Sequence, residues 1–131
     1  MAEAVAGARV GRLATTEPDG RAHLVPFCFA LGAGVLYSAV DQKPKRSRDL
    51  RRLRNIRERP AVAVLVDHYE EDWTRLWWVR LRGRARVLEA GEESAAALAL
   101  LVDKYQQYRR DPPAGPVIAI DPEEWRGWRW S

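Results

Sequence analysis

The stretch from Trp77 to Val87 constrains the fold of this 131-residue chain more than any other segment. Apolar residues and glycine alternate there with arginines. The first set is Trp77, Val79, Leu81, Gly83, Ala85 and Val87, and the arginines are Arg80, Arg82, Arg84 and Arg86. Because successive side chains of a strand point to opposite faces, the pattern predicts a long, half-buried β-strand. Gly83 predicts a bulge or bend within it.

Further strands are predicted where short apolar or β-branched runs lie between turns that contain glycine or proline. They cover Val10–Thr16, Ala22–Ala30, Val35–Val40, Ala61–Val66 and Val117–Ile120. The continuous aliphatic run of the fourth predicts a strand covered on both faces. Residues Asp121–Trp125 predict a capped turn ahead of a tryptophan-rich tail.

Two segments have helical periodicity. In the first, Leu50, Leu53 and Ile56 form one apolar stripe, Ser47 can cap the start, and Pro60 ends the helix. The second, Glu92–Tyr108, places Leu98, Leu101, Val102 and Tyr105 on one face. The resulting order, β-β-β-α-β-β-α-β, predicts a mainly β member of the α+β class. We expect one domain over residues 1–131, built as a small barrel or curled sheet with two flanking helices.

Cysteine and histidine are too scarce for several kinds of site. Cys28 is the single cysteine, and His23 and His68 are the only histidines, so no metal site is expected. No apolar run is long enough to span a bilayer, and the N-terminus has no basic start of the kind a secretory signal needs. These features together predict a cytoplasmic protein that does not enter membranes.

Positive charge is concentrated in residues 43–59, which hold nine basic and two acidic residues, a net charge of +7 in a chain of net charge +4. Such a segment favours an anionic partner bound at one place, although a solvated helix face would give the same composition. Lys43, Lys45 and Arg46 precede Ser47 at the expected helix start. Cations beside unpaired first-turn N–H groups predict a phosphate site there.

The strand just before that loop contains the small residues Ser38 and Ala39, which would let a flat ring approach the backbone; ordinary strand packing is the alternative. Pro26 in the second strand lacks a donor and predicts a sheet edge. A phosphate held at one end and a planar ring along strand backbone describe a flavin-like site.

In this order, several segments resemble the split-barrel flavin-binding proteins related to pyridoxamine 5'-phosphate oxidase, and especially the actinobacterial branch that uses the deazaflavin coenzyme F420. The segments are Arg12-Leu-Ala-Thr-Thr-Glu-Pro-Asp-Gly20, His23-Leu-Val-Pro26, Asp41-Gln-Lys-Pro-Lys-Arg46, Val66-Asp-His-Tyr69 and Leu76-Trp-Trp-Val-Arg80. The resemblance covers nearly the whole chain.

The resemblance implies a homodimer with the cofactor in a groove between two barrels. Residue by residue, it places Lys43, Lys45, Arg46 and Ser47 at the cofactor phosphate. It places His23, Leu24, Val25, Pro26, Ser38 and Ala39 beside the ring, and Trp77 and Trp78 on the strand that reaches the cofactor from the other subunit. Independently, six tryptophans are hard to bury in so small a domain, which also predicts a subunit interface.

The first functional hypothesis is an F420-dependent oxidoreductase that passes a hydride between the deazaflavin and a small organic substrate. The charge of the basic segment favours F420, because its phosphodiester, lactate and glutamate groups carry more negative charge than the single phosphate of FMN. FMN is the alternative cofactor, for oxidase chemistry or flavin binding alone. Tyr37, Tyr69 and His68 are candidate proton donors by residue type only, and vitamin B6 oxidation is not expected from residues Trp125–Trp130.

A third hypothesis is a non-enzymatic nucleic-acid-binding module that uses Arg48–Arg59 as its cationic face and tryptophans for stacking. It is disfavoured because the rest of the chain has a net charge of −3 and because the tryptophans are expected to be packed.

Overall fold

The computed structural model describes residues 1–40 and 47–130, the first four residues of the latter range by their backbone only. In this part of the chain, seven strands form one antiparallel sheet in the order β2-β1-β5-β6-β7-β4-β3. The strands are β1 Gly11–Thr16, β2 Ala22–Phe27, β3 Ala30–Gly32, β4 Val35–Ala39, β5 Ala61–His68, β6 Trp77–Leu88 and β7 Val117–Arg129. The helices are α1 Ala2–Gly7, α2 Ser47–Glu58, α3 Glu92–Lys104 and α4 Gln106–Arg110. The mainly β, curled sheet with flanking helices confirms the predicted fold class.

The sheet curls because its two edge strands are consecutive in the chain. Only Cys28 and Phe29 connect β2 to β3, so the prediction of one continuous strand over Ala22–Ala30 is wrong at these two residues, where the chain passes from one strand to the next. The backbone of Phe29 bonds instead to the end of α3: its N–H donates to the Tyr105 hydroxyl at 3.0 Å, and its carbonyl accepts from Lys104 Nζ at 2.8 Å. Pro26 lies on edge strand β2, where a missing donor is tolerated.

The structure confirms the half-buried strand that was predicted from the alternating residues of β6, since Val79, Leu81 and Ala85 are buried. Opposite it, β7 runs without interruption to Arg129, so the prediction of a capped turn at Asp121–Trp125 is wrong. The pairing register shifts between Arg82 and Gly83. A Cβ at Gly83 would lie 2.2 Å from the Asp121 carbonyl oxygen, so the glycine permits a bulge that keeps β7 paired past Pro122.

The main core fills the inside of the curled sheet. Its fully buried members include Leu13, Phe29, Leu36, Leu81 and Ile120. Leu53 and Ile56 of α2 join this core, which confirms the apolar stripe predicted for that helix. Asn55, also completely buried, donates from Nδ2 to Thr15 Oγ1 at 3.1 Å and so ties α2 to β1.

Helix α3 covers only one half of the outer face of the sheet. Tyr37 and Ala119 pack there against Ala97, while Ala39 packs against Leu101. Among the residues that the structure describes, nothing covers the half formed by β2, β1, β5 and β6 in this way: Leu65 of β5 is exposed and Ala63 is half-buried. Within one chain, the prediction that both faces of β5 are covered is therefore wrong, and its outward residues are apolar although they face solvent.

The predicted helix Glu92–Tyr108 is interrupted at Tyr105, whose backbone is extended and separates α3 from α4. The Tyr105 hydroxyl oxygen lies 2.9 Å from the Arg9 carbonyl and 3.0 Å from the Phe29 carbonyl, which share its single proton, and these contacts hold the residue at the closure of the sheet. Among the residues that the structure describes, no helix has both the length and the apolar character required to cross a bilayer.

Candidate functional site

The uncovered half of the outer face contains an open groove of about 500 Å³. Its floor consists of two small side chains, Ala14 of β1 and Ala63 of β5, which are direct neighbours across the strands. Leu24 of β2 lies opposite Ala14 and is 65% exposed. A flat ligand fits a floor of this kind because no side chain longer than a methyl group rises from its centre.

Leu65 is central to a second cross-strand row of this groove. Arg12 of β1 and Arg80 of β6 are its direct neighbours on either side. Next along the strands, Asp67 lies opposite Trp78, and both line the groove. Apolar surface therefore dominates the walls, with two guanidinium groups and one carboxylate placed among it.

The two arginines of the groove differ in their partners. Arg12 Nη1 lies 3.4 Å from Asp67 Oδ1, so its charge is matched within the groove. Arg80 forms no ion pair in the described part of the chain, and its Nε is buried without a hydrogen-bond acceptor. The Arg80 guanidinium carbon lies 5.9 Å from the centre of the Trp78 ring, within the range of a cation–π contact.

The loop between β5 and β6 forms one rim of the groove. Tyr69 lines the groove and is 63% exposed. Asp72 accepts from the N–H and hydroxyl of Thr74, hydrogen bonds that lower the pKa of its carboxyl. His68 Nε2 bonds to Glu70, whose carboxylate also lies 3.5 Å from Arg75. These short-range bonds give the loop a defined conformation beside the groove.

A second groove of about 330 Å³ continues from the first. The two share Ala14 and Ala63, and the second extends toward Arg82, Gly83 and Glu123 at the bulge of β6 and β7. The two grooves therefore adjoin on the outer face, at Ala14 and Ala63.

Comparison with protein families gives a match over residues 1–129 to the family described as pyridoxamine 5'-phosphate oxidase. The chain belongs to that family. A comparison with curated proteins gives no match.

Solved structures share this fold. A conserved hypothetical protein of Mycobacterium tuberculosis is 22% identical with a TM-score of 0.80, covering 98% of this chain and 81% of its own. A heme binding protein from Mycobacterium smegmatis is 23% identical with a TM-score of 0.76, over 95% of this chain and 50% of that one. A protein named F420 reductase is 25% identical with a TM-score of 0.69, over 95% of this chain and 94% of that one.

Leu24, which the resemblance places beside the cofactor ring, and Trp78, which it places on the strand reaching the cofactor from the other subunit, both line this groove of one chain. Pro26 is exposed on the same outer face as Leu24, whereas His23 and Val25 alternate to the other face. His23 Nδ1 is buried without a hydrogen-bond partner in the described residues. Trp77 points away from Trp78 and packs against the main core.

Ser38 and Ala39 are buried, Ser38 on the side of the sheet that holds the main core and Ala39 beneath α3. Their side chains are thus part of the packing, the alternative that the sequence left open. Strand β3 pairs only with residues 35–37, while both residues pair with β7 on the other side. Contact of a ligand with these two positions would therefore involve their backbone at the open edge.

Lys43, Lys45 and Arg46 lie outside the described residues. Ser47 is the first residue of α2, and because its side chain is also outside the description, its role as a cap stays a prediction. The phosphate site thus stays a prediction. Farther along α2, Arg51 lies 3.7 Å from Glu17, and Arg57 lies 3.1 Å from Glu89. Carboxylates of the same chain therefore neutralise part of the positive charge of residues 43–59.

The candidate proton donors occupy different places. Tyr37 is buried under α3 and donates to Glu93 at 2.8 Å; burial, followed by this bond, raises the pKa of its hydroxyl. It does not line the groove. Tyr69 does line it, and His68 is bonded to Glu70 at the rim. Cys28 is half-buried between the two sheet edges.

Arg80 and the floor residues Ala14 and Ala63 were not predicted as site residues. The alternation of β6 places Arg80 on the outer face, but the same is true of three further arginines. Only the cross-strand register brings Arg80 beside Leu65 and separates it from the arginines that have acidic neighbours.

Proposed function

We propose that the protein is an F420-dependent oxidoreductase that transfers a hydride between this deazaflavin and a small organic substrate. The observation that carries the proposal is the groove over Ala14 and Ala63, on a face left uncovered by α3, in a member of the pyridoxamine 5'-phosphate oxidase family. Its volume lies in the range of ligand pockets, roughly 300–1,000 Å³. The similar structure named F420 reductase supports the choice of cofactor.

The groove fits a flat ring in both shape and chemistry. Ala14 and Ala63 leave its floor low, while Leu24 and Trp78 provide apolar contact. F420 would supply the hydride chemistry, and the chain would position the ring and exclude water from it. The acidic tail of the cofactor would bind the predicted site of Lys43, Lys45, Arg46 and Ser47. Tyr69, at the rim, is our candidate for delivering a proton to the reduced substrate.

We also propose that the protein is a homodimer whose cofactor lies in a cleft between the two subunits. Leu24, Leu65 and Tyr69 expose large apolar surfaces on the uncovered half of the sheet, and a second copy would bury them. Trp73, Trp128 and Trp130 are exposed as well, in line with the argument that six tryptophans are hard to bury within one small domain. Sedimentation at micromolar concentration is expected to show a dimer; a monomer would contradict the shared cleft.

Titration of the purified protein with F420, FMN and FAD tests the cofactor. Saturable quenching of tryptophan fluorescence is expected with F420 at low micromolar concentration or below, and weaker binding with the other two. A protein that is purified with bound FMN, or that binds FMN more tightly than F420, would establish the alternative cofactor instead.

Two matched variants test the place of binding. Leu24→Arg introduces a long cation into the groove and is expected to abolish F420 binding. Val10→Arg makes the same kind of change at another exposed apolar residue, outside the groove, and is expected to leave binding unchanged. Equal binding by both variants would remove the groove from the proposal.

A further inference from the structure

Arg80 is the unmatched charge of the groove. It stands in a cross-strand row of three arginines, between Arg12 beyond Leu65 and Arg126 directly opposite on β7. Arg12 is paired with Asp67, and Arg126 Nε lies 3.7 Å from Glu124 Oε2. Among the described residues, no carboxylate forms an ion pair with Arg80. Like charges directly opposite in a sheet destabilise it, so the pairing of Arg80 with Arg126 is unfavourable unless an anion lies nearby.

The surroundings of Arg80 also limit what can satisfy it. Its Nε is buried without an acceptor, and its guanidinium lies over the Trp78 ring. An unmade hydrogen bond at a buried donor is unfavourable, and a planar guanidinium binds a planar oxyanion through parallel N–H bonds. Beside it, Leu65, Ala14 and Ala63 offer apolar surface. The same ligand would thus have to combine an oxyanion with a flat apolar body.

We propose that Arg80 binds the single oxyanion of a flat, apolar substrate whose body lies over Leu65, in the part of the groove beside the cofactor ring over Ala14 and Ala63. The substrate class is an aromatic or fused-ring carboxylate, or the corresponding phosphate or sulfonate. This inference rests on the proposed function in that the substrate shares the groove with the cofactor ring, but it does not require that the cofactor be F420. Net charge supports an anion, because Asp67 neutralises only one of the two arginines in the groove.

Arg84 provides a matched control. It occupies the same strand and the same face as Arg80, it is exposed, and it lines neither groove. Replacement of either residue by glutamine removes one positive charge from β6. Only Arg80→Gln removes it from the groove.

Binding is measured on the cofactor-free, full-length protein with two fluorescent dyes. The first, 8-anilinonaphthalene-1-sulfonate, is a fused ring with one oxyanion; the second, N-phenyl-1-naphthylamine, has the same rings without it. Arg80→Gln is expected to weaken binding of the sulfonate about tenfold, the loss of one charge-assisted contact, and to change binding of the neutral dye less than about twofold. Arg84→Gln is expected to change neither. Displacement of the sulfonate by 2-naphthoate, but not by 2-naphthamide, extends the result to carboxylates.

Three results would overturn the proposal. Equal loss in the two variants would mean that overall charge attracts the dye. Loss of both dyes in Arg80→Gln would mean that the side chain contributes packing only. Unchanged sulfonate binding in Arg80→Gln would assign this residue elsewhere, for example to the contact between two copies of the chain, which sedimentation of the variant would reveal.

Titration of Arg80→Gln with F420 separates this inference from the proposed function. Wild-type affinity for F420 together with the loss of sulfonate binding supports both. Absence of F420 binding in the wild type, with the dye results as expected, contradicts the cofactor and leaves the anion site standing. A parallel loss of F420 and sulfonate binding would assign Arg80 to the cofactor and overturn its role toward substrate.

Discussion

Arg80 and Arg86 are on the same strand and the same face of the sheet, yet their surroundings are opposite. Arg86 donates to Glu93 at 2.9 and 3.0 Å and to Asp121 at 2.6 and 3.1 Å. Arg80 has no carboxylate partner within the described chain. The difference follows from α3, which brings Glu93 to one half of the outer face and leaves the other half bare. Where the helix covers the sheet, Arg86 is held by two carboxylates; on the uncovered half Arg12 is paired with Asp67, and Arg80 is the arginine of the groove that stays available to a ligand.

On the half of the outer face that α3 covers, the charged side chains form a network that extends beyond one ion pair. Tyr37 donates to the same carboxylate of Glu93 that accepts from Arg86, so β4, β6, β7 and α3 meet in one network. The hydrogen bonds to Glu93 and then to Asp121 raise the pKa of Arg86. Bonds from Arg86 and Tyr37 lower the pKa of Glu93 to about 2. These side chains supply one another with hydrogen-bond partners and opposite charges, so nothing in this half of the face calls for a ligand.

Gly83 lies between the two halves, and its substitution is expected to have the largest effect. In Gly83→Ala the new methyl group would collide with the Asp121 carbonyl, so the bulge and the pairing of β7 must shift. We expect a loss of about 3 kcal/mol in the free energy of unfolding, measured by urea denaturation, as for an overpacked site that cannot relax. Gly7→Ala, at a glycine with open space around it, is the control and is expected to unfold like the wild type. Equal stability of both variants would contradict the close approach.

Loss of the network is expected to have a smaller effect. Arg86→Gln removes the bonds to Glu93 and Asp121 and leaves their two carboxylates close together. Because the side chains are about two fifths exposed, solvent screens much of this energy. We expect a loss of about 1 kcal/mol in the free energy of unfolding, the upper end for exposed ion pairs. No loss at low salt would mean that α3 is held by its apolar contacts alone.

Acid provides a reversible way to break the same network. The pKa of Glu93 in the folded protein, about 2, is lower than its ordinary value of 4.5, so the stability it contributes is fully present above pH 4.5 and is lost as the pH falls toward 2. Thermal unfolding between pH 7 and pH 3 is expected to show a decline in Tm below about pH 5. In Glu93→Gln the Tm is expected to be lower at pH 7 and to decline less, because this residue no longer titrates. Parallel declines in both proteins would assign the acid sensitivity to other carboxylates.

Arg80→Gln is expected to have the smallest effect on stability. Because Arg80 has no acidic partner and faces Arg126, its removal is expected to leave the Tm unchanged or slightly raised, in contrast to Arg86→Gln. A calorimetric comparison of the two variants would sharpen the difference between the halves. If Arg80→Gln is the less stable of the two, Arg80 is a structural residue and the contrast between them fails.

Much of the fold could be predicted because its strongest signals are local. The alternation of residues in β6 predicted a strand with one buried face, and the spacing of Leu53 and Ile56 predicted the buried side of α2. The structure confirms both. The errors have long-range causes. Asp121–Trp125 resembles a turn, but it pairs with residues 81–84 of β6, far away in the chain, and this partner keeps it extended. Tyr105 suits a helix, but contacts with Arg9 and Phe29 interrupt it there.

The candidate site was predicted only in part for the same reason. Leu24 and Trp78 line one groove of the chain, whereas the side chains of Ser38 and Ala39 are committed to packing; that Leu24 and Trp78 contact a cofactor stays a prediction. The lysines and the arginine of residues 43–46 stay a prediction. Arg80 and Ala63 could not be identified from the sequence, because nothing in a run of arginines or of aliphatic residues tells which one will have an empty space beside it.

By itself, the sequence determined which side chains face the core and which face outward, because the two-residue period of a strand is a local property of the backbone. It also determined the family, through segments spread over nearly the whole chain. Tertiary structure alone decided which outward arginine is matched and which is not. That outcome depends on the cross-strand register and on where α3 packs, and both are set by contacts between residues far apart in the chain.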